Sequence, residues 1–215
     1  MNKNIIENEY FPIFGDIFPF FTKQSQLLQE YDEVRIECYR ELTKLPEIND
    51  NNGHDYDHRA DTLIVTYKDI VIGGGKVVGK FPGDQHLIPL DDSELNLEKQ
   101  FKDFHLDQVP YCEFTRMSIL KPFRSPKLLH AISNELILYS IAKGYKYMFS
   151  VSSLAQARCN RQSAKVLGLP FEYNIHTKME VPNHNNKYGD LKVVISSLEF
   201  PSHWKGIKTH SIKTY

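Results

Sequence analysis

The segment YCEFTRMSIL (111–120) and the residues that follow it decide the fold. Its β-branched and aromatic residues predict a strand. Ser125 and Pro126 then have the chemistry of a helix N-cap and first turn, and the helix that they begin is predicted to end at Gly144. A second β-rich run, YKYMFSV (145–151), follows directly. The segment therefore predicts a strand, a core helix and another strand in succession.

Further elements lie on both sides of this segment. ARCNRQSAKVL (157–167) predicts another helix. The β-rich runs outside the segment are TLIVTY (62–67), IVIGGGKVVG (70–79), FEYNIHTKMEV (171–181) and DLKVVISSLEF (190–200). The first two runs predict a hairpin, in which Gly73 to Gly75 mark a bulge or a close backbone approach. This order predicts an α/β (α+β) sandwich, with a central mixed, mostly antiparallel sheet flanked by helices.

Residues 24–45 predict an amphipathic first helix. Its inward stripe consists of Leu27, Leu28, Tyr31, Val34, Cys38, Leu42 and Leu45. Arg35 lies on the same stripe, so its guanidinium group either points inward, where an unpaired charge is costly, or snorkels at the edge. HLIPL (86–90) predicts a third strand, and 91–104 predicts a helix. The inward residues of that helix are predicted to be Leu95, Leu97 and Phe101.

Length and composition exclude several classes of protein. The 215 residues predict a single domain (1–215), with an aromatic N-terminal segment (1–23) that covers the core or a hydrophobic groove, and a basic C-terminal tail (199–215). The formal net charge of -1 does not favour nucleic acid or an anionic membrane as a partner. Three cysteines without CxxC spacing predict neither a disulfide framework nor a metal site. We expect a cytoplasmic protein without a membrane span.

Several short motifs follow one another between residues 24 and 171. They are Arg35 with Tyr39, Tyr56 with Asp57, Lys76 after Gly75, Glu113 with Arg116, and NRQSAKVLGLPF (160–171). In this order they resemble the autoinducer synthases (acyl-homoserine lactone synthases), including their LuxM-type branch, and the related N-acyl amino acid synthases. Both groups belong to the GCN5-related N-acyltransferase superfamily. The chain departs from the lactone synthases at Lys76, where they have arginine, and its sole tryptophan is the distant Trp204.

The resemblance implies how an acceptor is bound and activated. Glu113 is the expected proton acceptor for an attacking amine, and Arg116 is its expected catalytic partner. Regular alternation would place these two side chains on opposite faces, so a β-bulge between them is expected. The residues expected to bind the acceptor are Arg35, Tyr39, Asp57 and Lys76. Other interpretations are a solvated Lys76 and edge ion pairs for Glu113 and Arg116.

The donor side is expected to hold an acyl thioester. FRSPK (123–127) replaces the glycine-rich loop of acetyl-coenzyme A users, which favours a longer, carrier-bound acyl group. The acyl chain is expected to run between splayed strands lined by Met117, Phe149 and Met179, although each of these residues also fits a plain core. An acidic acyl carrier protein requires a basic dock. Its candidate residues are Arg124, Lys127, Arg158, Arg161 and Lys165, which also fit a solvated face.

The expected function is therefore transfer of a fatty acyl group from an acyl carrier protein, or from coenzyme A, to the amine of S-adenosylmethionine. Lactonisation would then yield an acyl-homoserine lactone signal for quorum sensing. S-adenosylmethionine and the acyl thioester are substrates, and no permanently bound cofactor or metal is expected. Two alternatives stay open: an N-acyl amino acid synthase that uses a free amino acid, and a non-catalytic acyl-binding module.

Overall fold

Seven strands form a single sheet in the computed structural model, which describes residues 16–43, 58–92, 95–167, 172–183 and 188–201. The strands are β1 (Ile17–Thr22), β2 (Asp61–Tyr67), β3 (Ile70–Lys80), β4 (Tyr111–Ile119), β5 (Tyr147–Ser153), β6 (Glu172–His176) and β7 (Val193–Glu199). Their order in the sheet is β1-β2-β3-β4-β5-β7-β6. The β4 and β5 strands are parallel and every other neighbouring pair is antiparallel, so the predicted fold class is confirmed.

Of the helices that lie wholly within the described residues, three long ones flank the sheet and two short ones precede β4. The helices are α1 (Ser25–Thr43), α2 (Pro89–Asp92), α3 (Leu97–Gln100), α4 (Pro126–Ala142) and α5 (Leu154–Val166). The predicted N-cap of α4 is confirmed, because the Ser125 side chain accepts a hydrogen bond from the backbone N–H of Leu128. The predicted hairpin is also confirmed, and its two turn residues, Lys68 and Asp69, have φ angles of 48° and 66°.

The helices bury the two faces of the sheet separately. On one face, α4 packs against the strands through Leu136, in a core cluster with Val77 and Phe114. On the other face, α1 packs through Tyr31 against Ile64. Farther along that second face, the α2–α3 segment covers a cluster around Phe149, Phe101 and Val78. We call these two sides the α4/α5 face and the α1 face.

Three local predictions were wrong. HLIPL (86–90) forms no strand, although Ile88 and Leu90 are buried, and Pro89 begins the short helix α2 instead. The helix predicted over 91–104 is broken into α3 and a 3-10 turn, Lys102–Phe104, although its predicted inward residues are buried. Leu42 was assigned to the buried stripe of α1, but it is exposed.

The aromatic N-terminal segment contains a strand that the sequence analysis did not predict. Residues Ile17–Thr22 form β1 at the edge of the sheet, where they pair with β2. Pro19 is compatible with this position because an edge strand does not need every backbone N–H for pairing.

Candidate functional site

Two cations are buried on the α1 face and reach one carboxylate. Arg35 and Lys76 are only 3% and 4% exposed. The Nε of Arg35 lies 3.3 Å from Oδ1 of Asp32, and the Nζ of Lys76 lies 3.2 Å from the same oxygen. Burial of two cations is costly unless they are paired. The predictions of a solvated Lys76 and of a snorkelling Arg35 are therefore wrong.

Tyr31 connects this ion-pair cluster to β4. Its side chain is fully buried, and its hydroxyl donates a hydrogen bond to the backbone carbonyl of Arg116. Burial raises the pKa of Tyr31 well above its usual value; Tyr39 and Asp32 add to this rise, and the positive charges of Arg35 and Arg116 oppose it. The predicted residues Arg35, Tyr39 and Arg116 thus all lie near one hydroxyl group. This phenol stays protonated and acts as a donor.

A β-bulge in β4 brings the backbone carbonyl of Arg116 to the Tyr31 hydroxyl on the α1 face. Lys76 pairs with Thr115, but Gly74 pairs with Ser118, so two residues of β4, Arg116 and Met117, face one residue of β3. Arg116 has a φ of 61°, in the left-handed region, where a residue with a side chain costs about 1–3 kcal/mol. The bulge was expected between positions 113 and 116, and it begins at the end of that span.

Glu113 lies on the α1 face beside the cation pair. It is 4% exposed and pairs across the sheet with Val78, while Lys76 pairs with Thr115. Lys76 and Glu113 are therefore diagonal neighbours on one face, with Cα atoms roughly 7–8 Å apart. One carboxylate oxygen of Glu113 accepts a hydrogen bond of 2.7 Å from the backbone N–H of Leu90 at the start of α2. This bond fixes the carboxyl group in place.

The β4 and β5 strands separate immediately beyond Glu113. Their parallel pairing runs from Tyr111 and Tyr147 to Phe114 and Ser150 and then stops, although both strands continue. Beyond Phe114 and Ser150 the two strands are no longer paired with each other, and we call this unpaired stretch the gap between β4 and β5.

The fold, and not the sequence, relates the chain to known proteins. No protein-family model matches it, and no curated protein matches it significantly in sequence. The structure is similar to FeeM, an N-acyl amino acid synthase from uncultured soil microbes, with a TM-score of 0.60 and 10% identity over 87% of this chain and 92% of FeeM. It is also similar to the AHL synthase LasI, with a TM-score of 0.54 and 12% identity over 85% of this chain and 88% of LasI.

A third similar structure is BjaI, a coenzyme A-dependent acyl-homoserine lactone synthase solved with SAM and isopentyl-CoA. Its TM-score is 0.53, with 12% identity over 84% of this chain and 79% of BjaI. Acetyltransferases are also similar to the chain in structure. The chain has the GCN5-related N-acyltransferase fold. The resemblance to autoinducer synthases, to N-acyl amino acid synthases and to their superfamily is thus confirmed at the level of the fold.

Within this N-acyltransferase fold, the three residues expected to line the acyl pocket are divided between the two faces of the sheet. Met117 packs on the α4/α5 face, where Gln156 of α5 approaches its sulfur at 3.5 Å. Phe149 is fully buried on the α1 face, 5.0 Å between ring centroids from Phe101. Met179 packs against the same cluster as Phe149 and lines a groove of about 630 Å³ beside β6. Phe149 and Met179 therefore lie on one side of the sheet, and Met117 lies on the other.

The basic residues predicted for carrier docking fall into two groups in this fold. Arg158, Arg161 and Lys165 are exposed along α5, and Lys127 is exposed in the first turn of α4. The hydrogen bonds from His130 to Ser163 and from Ser133 to Asn160 make the two helices antiparallel, so Lys127 lies at the same end as Lys165.

Arg124 belongs to a different environment. Its guanidinium group lies 2.7 Å from the Glu41 carboxylate, and its Nε donates to the Ile119 carbonyl at 2.8 Å. These contacts connect β4 to α1, so Arg124 is engaged within the N-acyltransferase fold. The remaining predicted site residue, Asp57, lies outside the described residues, as do Tyr56 and Gly168.

Two residues of the site, Tyr31 and Asp32, were not predicted from the sequence. Asp32 was overlooked as one of several acids in α1, and Tyr31 was assigned to the core only. Their common signal is the spacing with Arg35, since residues three and four apart share one side of a helix. Among the described residues, no group of three His, Cys, Asp or Glu side chains could hold a metal ion. No described helix is long and apolar enough to span a membrane.

Proposed function

We propose that this chain is an N-acyltransferase that moves a fatty acyl group from a thioester to the amine of an amino acid-like acceptor. The observation that carries the proposal is the pair of buried cations, Arg35 and Lys76, on the α1 face beside Glu113. Two fixed cations with a half-exposed carboxylate, Asp32, match the carboxylate and ammonium groups of a zwitterion. The similar structures FeeM, LasI and BjaI support acyl transfer.

In the proposed reaction, the acceptor carboxylate binds Lys76 and Arg35, and its ammonium group faces the acids. Glu113 removes the ammonium proton, directly or through a water molecule, because only the neutral amine is nucleophilic. The amine nitrogen then attacks the thioester carbonyl carbon at the gap between β4 and β5. Collapse of the tetrahedral intermediate forms the C–N bond and breaks the C–S bond. The thiolate leaves and takes up a proton.

The preferred acceptor is S-adenosylmethionine. After acylation, its carboxylate oxygen attacks its own γ-carbon, the bond from that carbon to the sulfonium breaks, and neutral methylthioadenosine leaves with an acyl-homoserine lactone as the product. This second step needs orientation only, since the sulfonium is already a good leaving group. The donor that we propose is an acyl carrier protein, which would dock on Arg158, Arg161 and Lys165 of α5 in the cytoplasm.

A free amino acid is the second candidate acceptor. The similarity to FeeM, an N-acyl amino acid synthase, favours it, and the same cation pair would bind its carboxylate. This reaction ends after acyl transfer and releases no methylthioadenosine.

The test is incubation of the purified chain with acyl carrier protein thioesters and coenzyme A thioesters of several chain lengths, with S-adenosylmethionine or a mixture of amino acids. Mass spectrometry identifies the products. A lactone with an equal amount of methylthioadenosine supports the first acceptor, and an open N-acyl amino acid supports the second. Acyl thioester binding without any product would identify a non-catalytic acyl-binding module and reject the proposal.

A further inference from the structure

We propose that Tyr31 is a positioning residue that locks the β4 bulge, and that this lock orients Arg116 and Glu113 toward the acceptor. The catalytic part of this inference rests on the proposed function. The structural part, a hydrogen bond from α1 that fixes the local register of β4, stands on the geometry alone. Nothing in the proposed reaction requires Tyr31 to touch a substrate.

Helix α1 contacts β4 at two carbonyl groups. The Tyr31 hydroxyl donates to the carbonyl of Arg116, and two helical turns later the Cys38 thiol donates to the carbonyl of Ile119 at 3.3 Å. Positions seven apart lie on the same side of a helix. One side of α1 therefore holds the part of β4 that has left its parallel partner β5.

Without this lock, β4 has a well-defined alternative conformation. Arg116 is held at a φ of 61°, and a strand without the bulge would place it in an extended conformation. A one-residue change of register moves every later side chain to the other face. Met117 would then leave the α4/α5 core, and Arg116 would lose its place next to Tyr31.

Strand β3 leaves room for the Tyr31 ring at Gly74. A Cβ atom at Gly74 would lie 2.9 Å from Cε2 of Tyr31 and 2.2 Å from the Leu63 carbonyl oxygen, so a side chain at this position is incompatible with both neighbours. The ammonium group of Lys76 lies 6.0 Å from the centroid of the same ring. The ring that reaches the bulge thus also supports one of the proposed acceptor-binding cations.

The turn of α1 that carries Tyr31 also carries the Arg35–Asp32 ion pair. Asp32 is the next residue, and Arg35 follows one helical turn after Tyr31. A movement of Tyr31 would displace both ends of the Arg35–Asp32 ion pair. One turn of α1 therefore carries both the residues proposed to bind the acceptor and the residue that orients β4.

The test compares Tyr31→Phe, which removes only the hydroxyl, with Tyr139→Phe as the matched control. Tyr139 is an equally buried tyrosine, but it lies in α4 on the other face of the sheet. Circular dichroism checks that both variants fold. Hydrogen–deuterium exchange of residues 115–119 is then measured in all three proteins. We expect exchange about tenfold faster in Tyr31→Phe, as follows from the loss of one hydrogen bond, and no change in the control.

The catalytic consequence is measured by steady-state kinetics of Tyr31→Phe, Glu113→Gln and the double variant. We expect kcat to fall about 100-fold in Tyr31→Phe, because a small displacement of Glu113 and Arg116 impairs the reaction. The KM for the acyl thioester should stay within about twofold of the wild-type value, because donor binding is not affected. If Tyr31 acts through Glu113, the double variant is no slower than Glu113→Gln alone.

The outcomes separate the two proposals. Unchanged exchange in Tyr31→Phe overturns the lock, whether or not the protein transfers acyl groups. If exchange is faster in Tyr31→Phe but the kcat losses of the two single variants multiply in the double variant, Tyr31 does not act through Glu113. Its hydrogen bond then has a structural role only. If the wild-type protein transfers no acyl group, the proposed function fails, and the exchange measurement still decides whether Tyr31 locks the bulge.

Discussion

The Glu113 carboxylate accepts a hydrogen bond of 2.7 Å from the backbone N–H of Leu90. This contact gives Glu113 a structural role at the start of α2, in addition to its proposed role as the proton acceptor. The two roles can be separated because glutamine keeps a carbonyl oxygen that can accept this bond but is not basic, whereas alanine has neither property.

We expect Glu113→Gln to fold normally and to lose about 10²- to 10⁴-fold in kcat, as is typical of a lost general base. Glu113→Ala should lose the same activity and also about 1–3 kcal/mol in the free energy of unfolding, because the hydrogen bond from the Leu90 N–H is lost. Product formation and urea unfolding of both variants are the measurements. A Glu113→Gln variant with near-normal kcat would show that Glu113 only supports α2.

The second prediction concerns binding of the acceptor carboxylate by Lys76. We expect Lys76→Met to raise the KM for the acceptor about 10- to 100-fold, which corresponds to a charged hydrogen bond of about 1.5–3 kcal/mol. The fold should be retained, because Asp32 is 41% exposed and keeps its contact with Arg35. No unpaired charge is therefore left fully buried.

Lys99→Met, which removes an exposed lysine from α3, is the matched control for the Lys76 variant. Initial rates are measured over a range of acceptor concentrations at saturating thioester. An effect of Lys76→Met on the thioester KM alone, with an unchanged acceptor KM, would contradict the assignment of Lys76 to the acceptor.

Much of this site could be predicted from local sequence patterns. The helical periodicity of α1 placed Arg35 on its buried side, and the alternation in YCEFTRMSIL indicated that a bulge is required if Glu113 and Arg116 are to share a cleft. The N-cap at Ser125 predicted where α4 begins. Each of these predictions depends on residues that are only a few positions apart, so a short stretch of sequence is sufficient to make it.

The parts that could not be predicted depend on contacts between distant segments. The ion pair of Asp32 with Lys76 joins residues 44 positions apart, and the hydrogen bond from Tyr31 to Arg116 spans 85 positions. HLIPL was misassigned because burial of Ile88 and Leu90 requires no regular strand. An apolar pattern predicts that a residue is buried more reliably than it predicts the backbone conformation that buries it.

The third prediction concerns the exposed basic side of α5. We expect the double variant Arg161→Glu, Lys165→Glu to raise the KM for an acyl carrier protein thioester about tenfold at low salt, and less at high salt, because charge reversal weakens attraction to an acidic partner. The same acyl group on coenzyme A should be used with an unchanged KM if the dock recognises the carrier protein.

Lys99→Glu, Lys102→Glu is the control for this variant, since it reverses two exposed charges near α3. Equal effects of the two double variants would indicate a response to net charge and not to a dock. An equal rise in KM for the carrier-bound thioester and the coenzyme A thioester would show that Arg161 and Lys165 do not bind the carrier protein specifically.

The last prediction concerns stability and pH at His176. Its ring lies edge-on against Phe101, with ring centroids 5.0 Å apart, and its Nε2 lies 2.8 Å from Oγ of Ser197. Burial lowers the pKa of His176 below its ordinary value of 6.5. His176 therefore binds a proton less tightly in the folded protein than in the unfolded chain. The contribution of the neutral His176 ring to the free energy of unfolding is fully present above pH 6.5. It is lost as the pH falls through the lowered pKa of the folded state.

Urea unfolding between pH 8 and pH 5 tests this prediction in the wild-type protein and in His176→Gln, which keeps a polar group near Ser197 but does not titrate. The other histidines are identical in the two proteins, so the difference between the two stability curves isolates His176. We expect the wild type to lose more unfolding free energy than the variant as the pH falls below 6.5. Parallel curves would show that the His176 ring binds a proton equally well in the folded and unfolded chains, and that the contact with Phe101 does not exclude its charged form.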